Sequence, residues 1–271
     1  MERKKAKPEI GYSSIGKLKQ ILDCFTFNKT LLTVQQIAKR VDIPTSSLYR
    51  YLQSMVAAGF LTHNKSSNTY ALGMSMIEMG GVALMQYEIR YAALPEMNTL
   101  GARTNMNVNL SILDGCDIFH LAYSIRYHAA PWVDAIGRRT TAYQTAMGLS
   151  ILAFKPYDEV EELIYESNAR DPVRYPLPDF DKLKIAFDSV RKTQFLTTRH
   201  TQPTVDSVCM ASPVRRRGSE ICAALSVNWF KDYNESPVEN CIATVQPLVI
   251  NTAARISYKL GYVGRSYGPP I

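Results

Sequence analysis

The stretch from Thr33 to Leu72, TVQQIAKRVDIPTSSLYRYLQSMVAAGFLTHNKSSNTYAL, constrains the fold of this chain more than any other. Val34, Ile37, Ala38 and Val41 recur at helical spacing. Thr33 and Gln36 form a T-x-x-Q capping box, which satisfies orphan amides where a helix begins. Asp42-Ile43-Pro44 interrupts that helix, because proline drives the residue before it out of the α region. A second helix starts at or just after Pro44, a residue tolerated in a first turn, and buries Leu48, Leu52, Met55 and Val56. Gly59 supplies the left-handed residue that stops it. Phe60-Leu61-Thr62 and Thr69-Tyr70-Ala71-Leu72 then flank a polar, turn-rich segment, the pattern of a β-hairpin wing. Helix, turn, helix and wing make a winged helix-turn-helix, an arrangement whose second helix enters the major groove of DNA.

The residues off the buried stripe of the second helix fit that role. Thr45, Ser46, Ser47, Tyr49, Arg50 and Gln53 are hydroxyls, an aromatic, a guanidinium and an amide, all able to reach phosphates or base edges. Thr33 and Gln35, where the first helix begins, and Lys65 at the wing tip complete the set expected to face double-stranded DNA. Charge supports them. Residues 1–72 carry 11 Lys+Arg against 4 Asp+Glu, whereas residues 73–271 carry 20 against 20. The whole net charge of +7 therefore sits in the first quarter of the chain, the footprint of a polyanion binder. A basic domain that was merely solvated would not predict a neutral remainder. Residues 1–12 read as a basic arm, and Ser13 or Ser14 caps a first helix with Ile15, Leu18, Ile21, Leu22 and Phe25 on its buried face.

At 271 residues, 46% hydrophobic and 20% charged, the chain has the length of two ordinary domains and the composition of a globular protein. It has no apolar run of transmembrane length and no signal-peptide pattern, so a cytoplasmic location is expected. Five cysteines, at 24, 116, 209, 222 and 241, form no C-x-x-C pair and have no histidine cluster beside them. Neither a metal site nor a cofactor is expected, and the odd count suits a reducing compartment. Ser14 and Lys17 match S-x-x-K, but the partner motifs of that chemistry are missing.

Beyond the wing, Gly73 to Tyr91 reads as one long, apolar helix that needs cover on more than one side, with Gly80-Gly81 as its weak point. Its position suggests an interdomain linker that also packs in a dimer interface. A helix over Leu94–Arg103, with proline in its first turn, leads into the period-two alternation of residues 106–113 and the hairpin signal Asp114-Gly115. The partner strand runs from Cys116 to Tyr123, and a loop follows around Pro131-Trp132. Thr145 to Ala153 is an apolar helix with small residues at its mouth. Asp158–Ser167 and Asp179–Thr193 are amphipathic helices; Phe195–Arg199, Val205–Ser212 and Ile221–Trp229 are strands; Pro237–Tyr262 is a closing helix. Arg215-Arg216-Arg217 is most simply a solvated turn, since nothing near it is basic. Paired strands with helices to the side read as α+β.

Over roughly residues 13–264 the sequence resembles the IclR family of bacterial transcriptional regulators. The resemblance rests on SIGKLKQILDCF, LTVQQIAKRVDIPTSSLYRYLQSMVAAGFL, YALGMSMIEMG, TAYQTAMGLSILAF, VCMASPV, ICAALSVNWF and AARISYKLGY, in that order. It implies an α+β chain with an N-terminal winged helix-turn-helix (13–72), a linker helix (73–92) and a C-terminal GAF-like α/β effector domain (93–264), between the arm and a tail at 265–271. It also implies a homodimer or a dimer of dimers that binds an operator and a small organic effector, often a carboxylate. By position, the effector pocket would use Ala146 and Met147 at a helix start and Cys209, Ser226 and Asn228 on strands. Amides at a helix N-terminus are a ready anion site, and Ser226 and Asn228, two apart, share a strand face. The sequence departs from the pattern at Arg199, where an acidic residue is common, and at the bulky Met147. A basic Arg199 would favour an acidic ligand.

The residues predict a sequence-specific DNA-binding regulator, and the resemblance implies that it responds to a ligand and controls a metabolic operon, with a small organic acid or aromatic metabolite as effector. The rival is a small-molecule enzyme using Cys209 as nucleophile with His200. It needs a base within reach and a lowered thiol pKa, and no G-x-S-x-G, H-E-x-x-H or phosphate loop accompanies it. The other histidines, 63, 120 and 128, are scattered. A pure scaffold would leave the basic surplus without a purpose.

Overall fold

The computed structural model describes residues 13–127, 136–202, 205–233 and 237–264. The arm, the tail, His128 and the loop at Pro131-Trp132 lie outside the described residues. The chain divides into two compact units, residues 1–86 and 87–271.

The first unit contains α1 (Ser14–Asp23), β1 (Leu32–Thr33), α2 (Val34–Ala38), α3 (Thr45–Ala57), β2 (Leu61–Asn64), β3 (Thr69–Leu72) and α4 (Met74–Leu84). Ser13 caps α1 by accepting from the Gly16 amide at 2.9 Å. The capping box of α2 closes in both directions: Thr33 N donates to Gln36 Oε1 at 2.9 Å and Gln36 N to Thr33 Oγ1 at 3.3 Å. Gly59, at φ +75°, follows the end of α3. Ile21, Leu32, Ile37, Leu48, Leu52, Met55 and Leu61 form the core beneath these elements. Ile15 does not join it: in the first turn of α1 it points away from the core and is 76% exposed. β1, only two residues long, pairs antiparallel with β3 and completes a sheet of order β1-β3-β2.

The expected single helix over 73–91 is instead two. α4 runs unbroken through Gly80-Gly81 and ends at Leu84; α5 begins at Glu88 and extends to Thr104, with Pro95 inside it. The two helices are held differently. No residue of α4 is buried, whereas α5 buries Ala93, Met97, Leu100 and Gly101 within the second unit. The path of α5 is set by that stripe.

The second unit continues with β4 (Asn107–Asp114), β5 (Asp117–Ser124), β6 (Arg139–Thr141), α6 (Ala146–Leu152), α7 (Tyr157–Arg170), α8 (Phe180–Thr193), β7 (Leu196–Gln202), β8 (Val205–Arg215), β9 (Ile221–Phe230) and α9 (Val238–Lys259). Its six strands form one antiparallel sheet of order β6-β5-β4-β9-β8-β7. Helices α5 and α9 cover one face, and α6, backed by α8, covers the other. Period-two alternation decides what each face carries. Val108, Leu110, Val208, Met210, Leu225 and Val227 point toward α5 and α9 and are buried. Their neighbours point the other way, and most of these are polar or small.

Candidate functional site

Two surfaces carry chemistry, one in each unit. On α3, Leu48, Leu52 and Met55 lock the helix to the core, which leaves Thr45, Ser46, Tyr49, Arg50 and Gln53 exposed on the opposite side and Ser47 half-buried at its edge. Arg50 makes no ion pair or side-chain hydrogen bond among the described residues. Gln35 is exposed, while Thr33 is half-buried and its hydroxyl already accepts from Gln36. Lys65 is exposed at the wing tip. The tip is held in shape: Asn64 Oδ1 accepts from the Ser66 and Ser67 amides at 2.9 and 3.2 Å, and His63 stacks on Tyr70 with centroids 4.3 Å apart. A helix with a polar solvent face beside a stiff basic hairpin can dock on duplex DNA.

The second surface is the sheet face under α6. Cys209 lies opposite Asn228, Ser226 is flanked by Ala211 and Asn109, and Ser111 is opposite Ala224 and His120. Thr198 on β7 stands opposite Cys209. The face therefore gathers Asn109, Ser111, His120, Thr198, Cys209, Ser226 and Asn228. Of these, Asn109, Ser111, His120, Cys209, Ser226 and Asn228 are all buried. Buried polar groups are normally hydrogen-bonded. Yet Asn109 Oδ1 and Ser226 Oγ make no hydrogen bond of good geometry. Ser111 Oγ lies 3.0 Å from His120 Nδ1 and 3.4 Å from Met147 Sδ, and His120 Nε2 is 3.3 Å from Thr140 Oγ1.

This face is uncharged. Burial, reinforced by the Arg138 guanidinium, lowers the His120 pKa to about 3, so its imidazole is neutral. Burial pushes the Cys209 thiol up to about 11 against the opposing pull of the Ser226 hydroxyl and the Met147 amide. A thiol so far from ionising is no nucleophile at neutral pH, which removes the chemical basis of the Cys209 enzyme.

Three expectations change on this geometry. The amides that open α6 are not open to an anion: Ala146 N donates to Thr198 Oγ1 at 3.0 Å and Gly148 N to the capping Thr145 Oγ1 at 3.1 Å. Met147 packs its sulfur over Ser111, and its amide is turned to the Cys209 thiol. Arg199 lies opposite Val208, so its side chain leaves the face that Thr198 and Cys209 share. There Arg199 holds Asp206 with both ends of its fork, at 3.0 and 2.7 Å. The structure thus brings Met147, Cys209, Ser226 and Asn228 together, and Arg199 apart from them.

Sequence reasoning missed Asn109, Ser111, His120 and Thr198. A signal was present. Asn107, Asn109 and Ser111 alternate with Val108 and Leu110, but the polar positions include no Lys, Glu or Arg, the residues a solvent-facing strand would carry. Asn107 has a different task. Its side chain binds the chain at 126–127 through Arg126 N at 2.7 Å, Tyr127 N at 3.1 Å and Tyr127 O at 2.8 Å.

Comparison with known proteins agrees across both units. A family model described as the IclR helix-turn-helix domain matches residues 14–65, and one described as the bacterial transcriptional regulator IclR C-terminal domain matches residues 81–258. The HTH-type transcriptional regulator KdgR of Escherichia coli K12 is 26% identical over 231 residues, covering 84% of this chain and 86% of its own. The Thermotoga maritima IclR structure superimposes with a TM-score of 0.70 at 24% identity, over 92% of this chain and 99% of its own. An IclR homologue from Microbacterium hydrocarbonoxydans, solved as a complex with 4-hydroxybenzoate, reaches 0.74 at 22% identity, over the same shares. Among the described residues no cluster of three or more His, Cys, Asp or Glu is placed to hold a metal, and no helix is long and apolar enough to cross a membrane.

Proposed function

The chain belongs to the IclR family of bacterial transcriptional regulators, and from that premise we propose that α3 reads a specific operator while the polar sheet face under α6 binds a small organic effector. It is a DNA-binding regulator rather than an enzyme, with a ligand-binding carboxy-terminal domain. The observation that carries the finer reading is the solvent face of α3, where Thr45, Ser46, Tyr49, Arg50 and Gln53 are all exposed. It belongs to the segment that holds the entire charge surplus. Phosphates set affinity there and base edges set sequence. Gln35, Ser47 and Lys65 flank that face, and Thr33 serves by holding the start of α2.

The effector belongs with Met147, Cys209, Ser226 and Asn228, joined by Asn109, Ser111 and His120. A structural relative was solved with 4-hydroxybenzoate, which supports an organic acid or aromatic metabolite for this chain and control of an operon that handles it. Residues 73–92 act as the linker between the two tasks. The exposed apolar surface of α4 supports a homodimer, which would read two half-sites about 34 Å apart. The protein acts in the cytoplasm, on the chromosome.

The test is to pass sheared genomic DNA over the purified full chain at low salt and sequence what is retained. A small set of fragments sharing a two-fold symmetric sequence is expected. Retention of no fragment, or of fragments with nothing in common, contradicts the reading.

A further inference from the structure

We propose that Asn109 is the specificity-determining residue of the effector site, selecting ligands whose inner end is a hydroxyl rather than a carboxylate. The inference rests on reading the face under α6 as the effector site. Asn109 is 2% exposed on β4 and stands directly across from the fully buried Ser226 on β9. The Asn109 Oδ1 and Ser226 Oγ atoms are the two on this face that lie buried without a hydrogen bond of good geometry among the described residues, Ser226 having only the Cys209 thiol beside it. The neighbouring groups are already committed: Ser111 to His120 and Met147, and Thr198 to the Ala146 amide. A ligand entering this face therefore meets the open Asn109 amide oxygen and, beside it, a hydroxyl engaged only by the weakly bonding Cys209 thiol.

Their surroundings decide what they accept. His120 and Cys209 are both uncharged near neutral pH, held so chiefly by burial. A carboxylate pushed against this wall would lose its hydration with no countercharge in return. A hydroxyl has no such penalty. It donates to Asn109 and accepts from Ser226, and because it can do both it suits either orientation of the amide. Positive charge lies farther out. Arg138 is paired through its main chain with His120 and only half-buried. Its charge is felt at both His120 and the exposed His200, which makes that side of the face the favourable one for an acid group on the same ligand. The ligand class is thus a hydroxy acid bound hydroxyl-first.

Calorimetry on the full chain with matched probes tests this: 4-hydroxyphenylacetate against phenylacetate, and 3-hydroxybutyrate against butyrate. In the parent protein the hydroxylated member of at least one pair is expected to bind about tenfold or more tightly than its partner, since a buried polar site rejects an analogue lacking the matching group. Asn109→Leu, close in volume, should erase that preference while the deoxy acid still binds. Ser226→Ala is expected to reduce the preference and serves if the first variant does not unfold cooperatively. Equal binding within both pairs overturns the proposal and leaves the effector site standing, as does a preference that survives in the variants. Failure of all four acids to bind counts against the effector reading as well.

Discussion

His120 is buried, lies within hydrogen-bonding reach of Ser111 and Thr140, and stays neutral to about pH 3. In the unfolded chain it takes a proton near its ordinary pKa of 6.5. Between those limits the unfolded state binds the extra proton, so this residue's contribution to stability is complete above 6.5 and is lost as pH falls toward 3. At pH 5 the loss is about 2 kcal/mol, from roughly 1.36 kcal/mol per pH unit. Urea unfolding of the parent and of His120→Gln at pH 7 and pH 5 should give a smaller acid loss in the variant; equal losses would contradict the assignment. Arg199 and Thr198 show what a one-residue step means in a strand. The two are adjacent, yet Thr198 shares the face of Cys209 while Arg199 turns away to Asp206. Spacing from Cys209 alone carries no such information, because the face depends on register. Gly148 is a different case. A Cβ there would overlap the Ala142 carbonyl, so the small residue noted at the mouth of this helix is demanded by close packing.

Among the elements, those with local causes were legible. Capping box, Pro44 break, buried stripe and Gly59 stop are each written within a few residues, and α2, α3 and the β2–β3 wing follow them. β1 and β6, of two and three residues, are too short for alternation to register and exist only because a partner strand lies beside them. The buried side of β4 and β9 was half legible. Alternation marks the strands, and it does not say that α6 covers the polar side of β4. The break between α4 and α5 falls at Met85-Gln86-Tyr87, which holds no breaker residue for the sequence to announce it. α4 and the Met85 that follows it leave Met74, Ile77, Met79, Val82 and Met85 at 53–68% exposure, more apolar surface than a solvated helix normally shows. If a second copy covers it, Ile77→Lys with Val82→Lys should convert the dimer to a monomer in light scattering and weaken operator binding by about tenfold or more, through loss of the second half-site. An unchanged mass would contradict a contact between copies on α4.

At the scale of the whole molecule, two units of different chemistry are joined in one chain: the segment with all the net charge and a polar helix face, and a neutral sheet unit with an uncharged, buried polar wall. Charge asymmetry was readable from composition. The resemblance to regulators was readable from ordered motifs spread over most of the chain, and the matches to both IclR domain models bear it out. The uncharged character of the wall was not readable, because it depends on burial of His120 and Cys209 by residues distant in sequence. We propose that the exposed face of α3 reads DNA through phosphates and base edges. This is tested most directly by fluorescence anisotropy of a retained operator fragment, titrated with the parent and with Arg50→Ala across a range of salt. The parent's affinity should fall steeply and linearly in log–log form as counterions are released, and the variant should bind about 5- to 100-fold more weakly. An affinity insensitive to salt, or a variant indistinguishable from the parent, would contradict it.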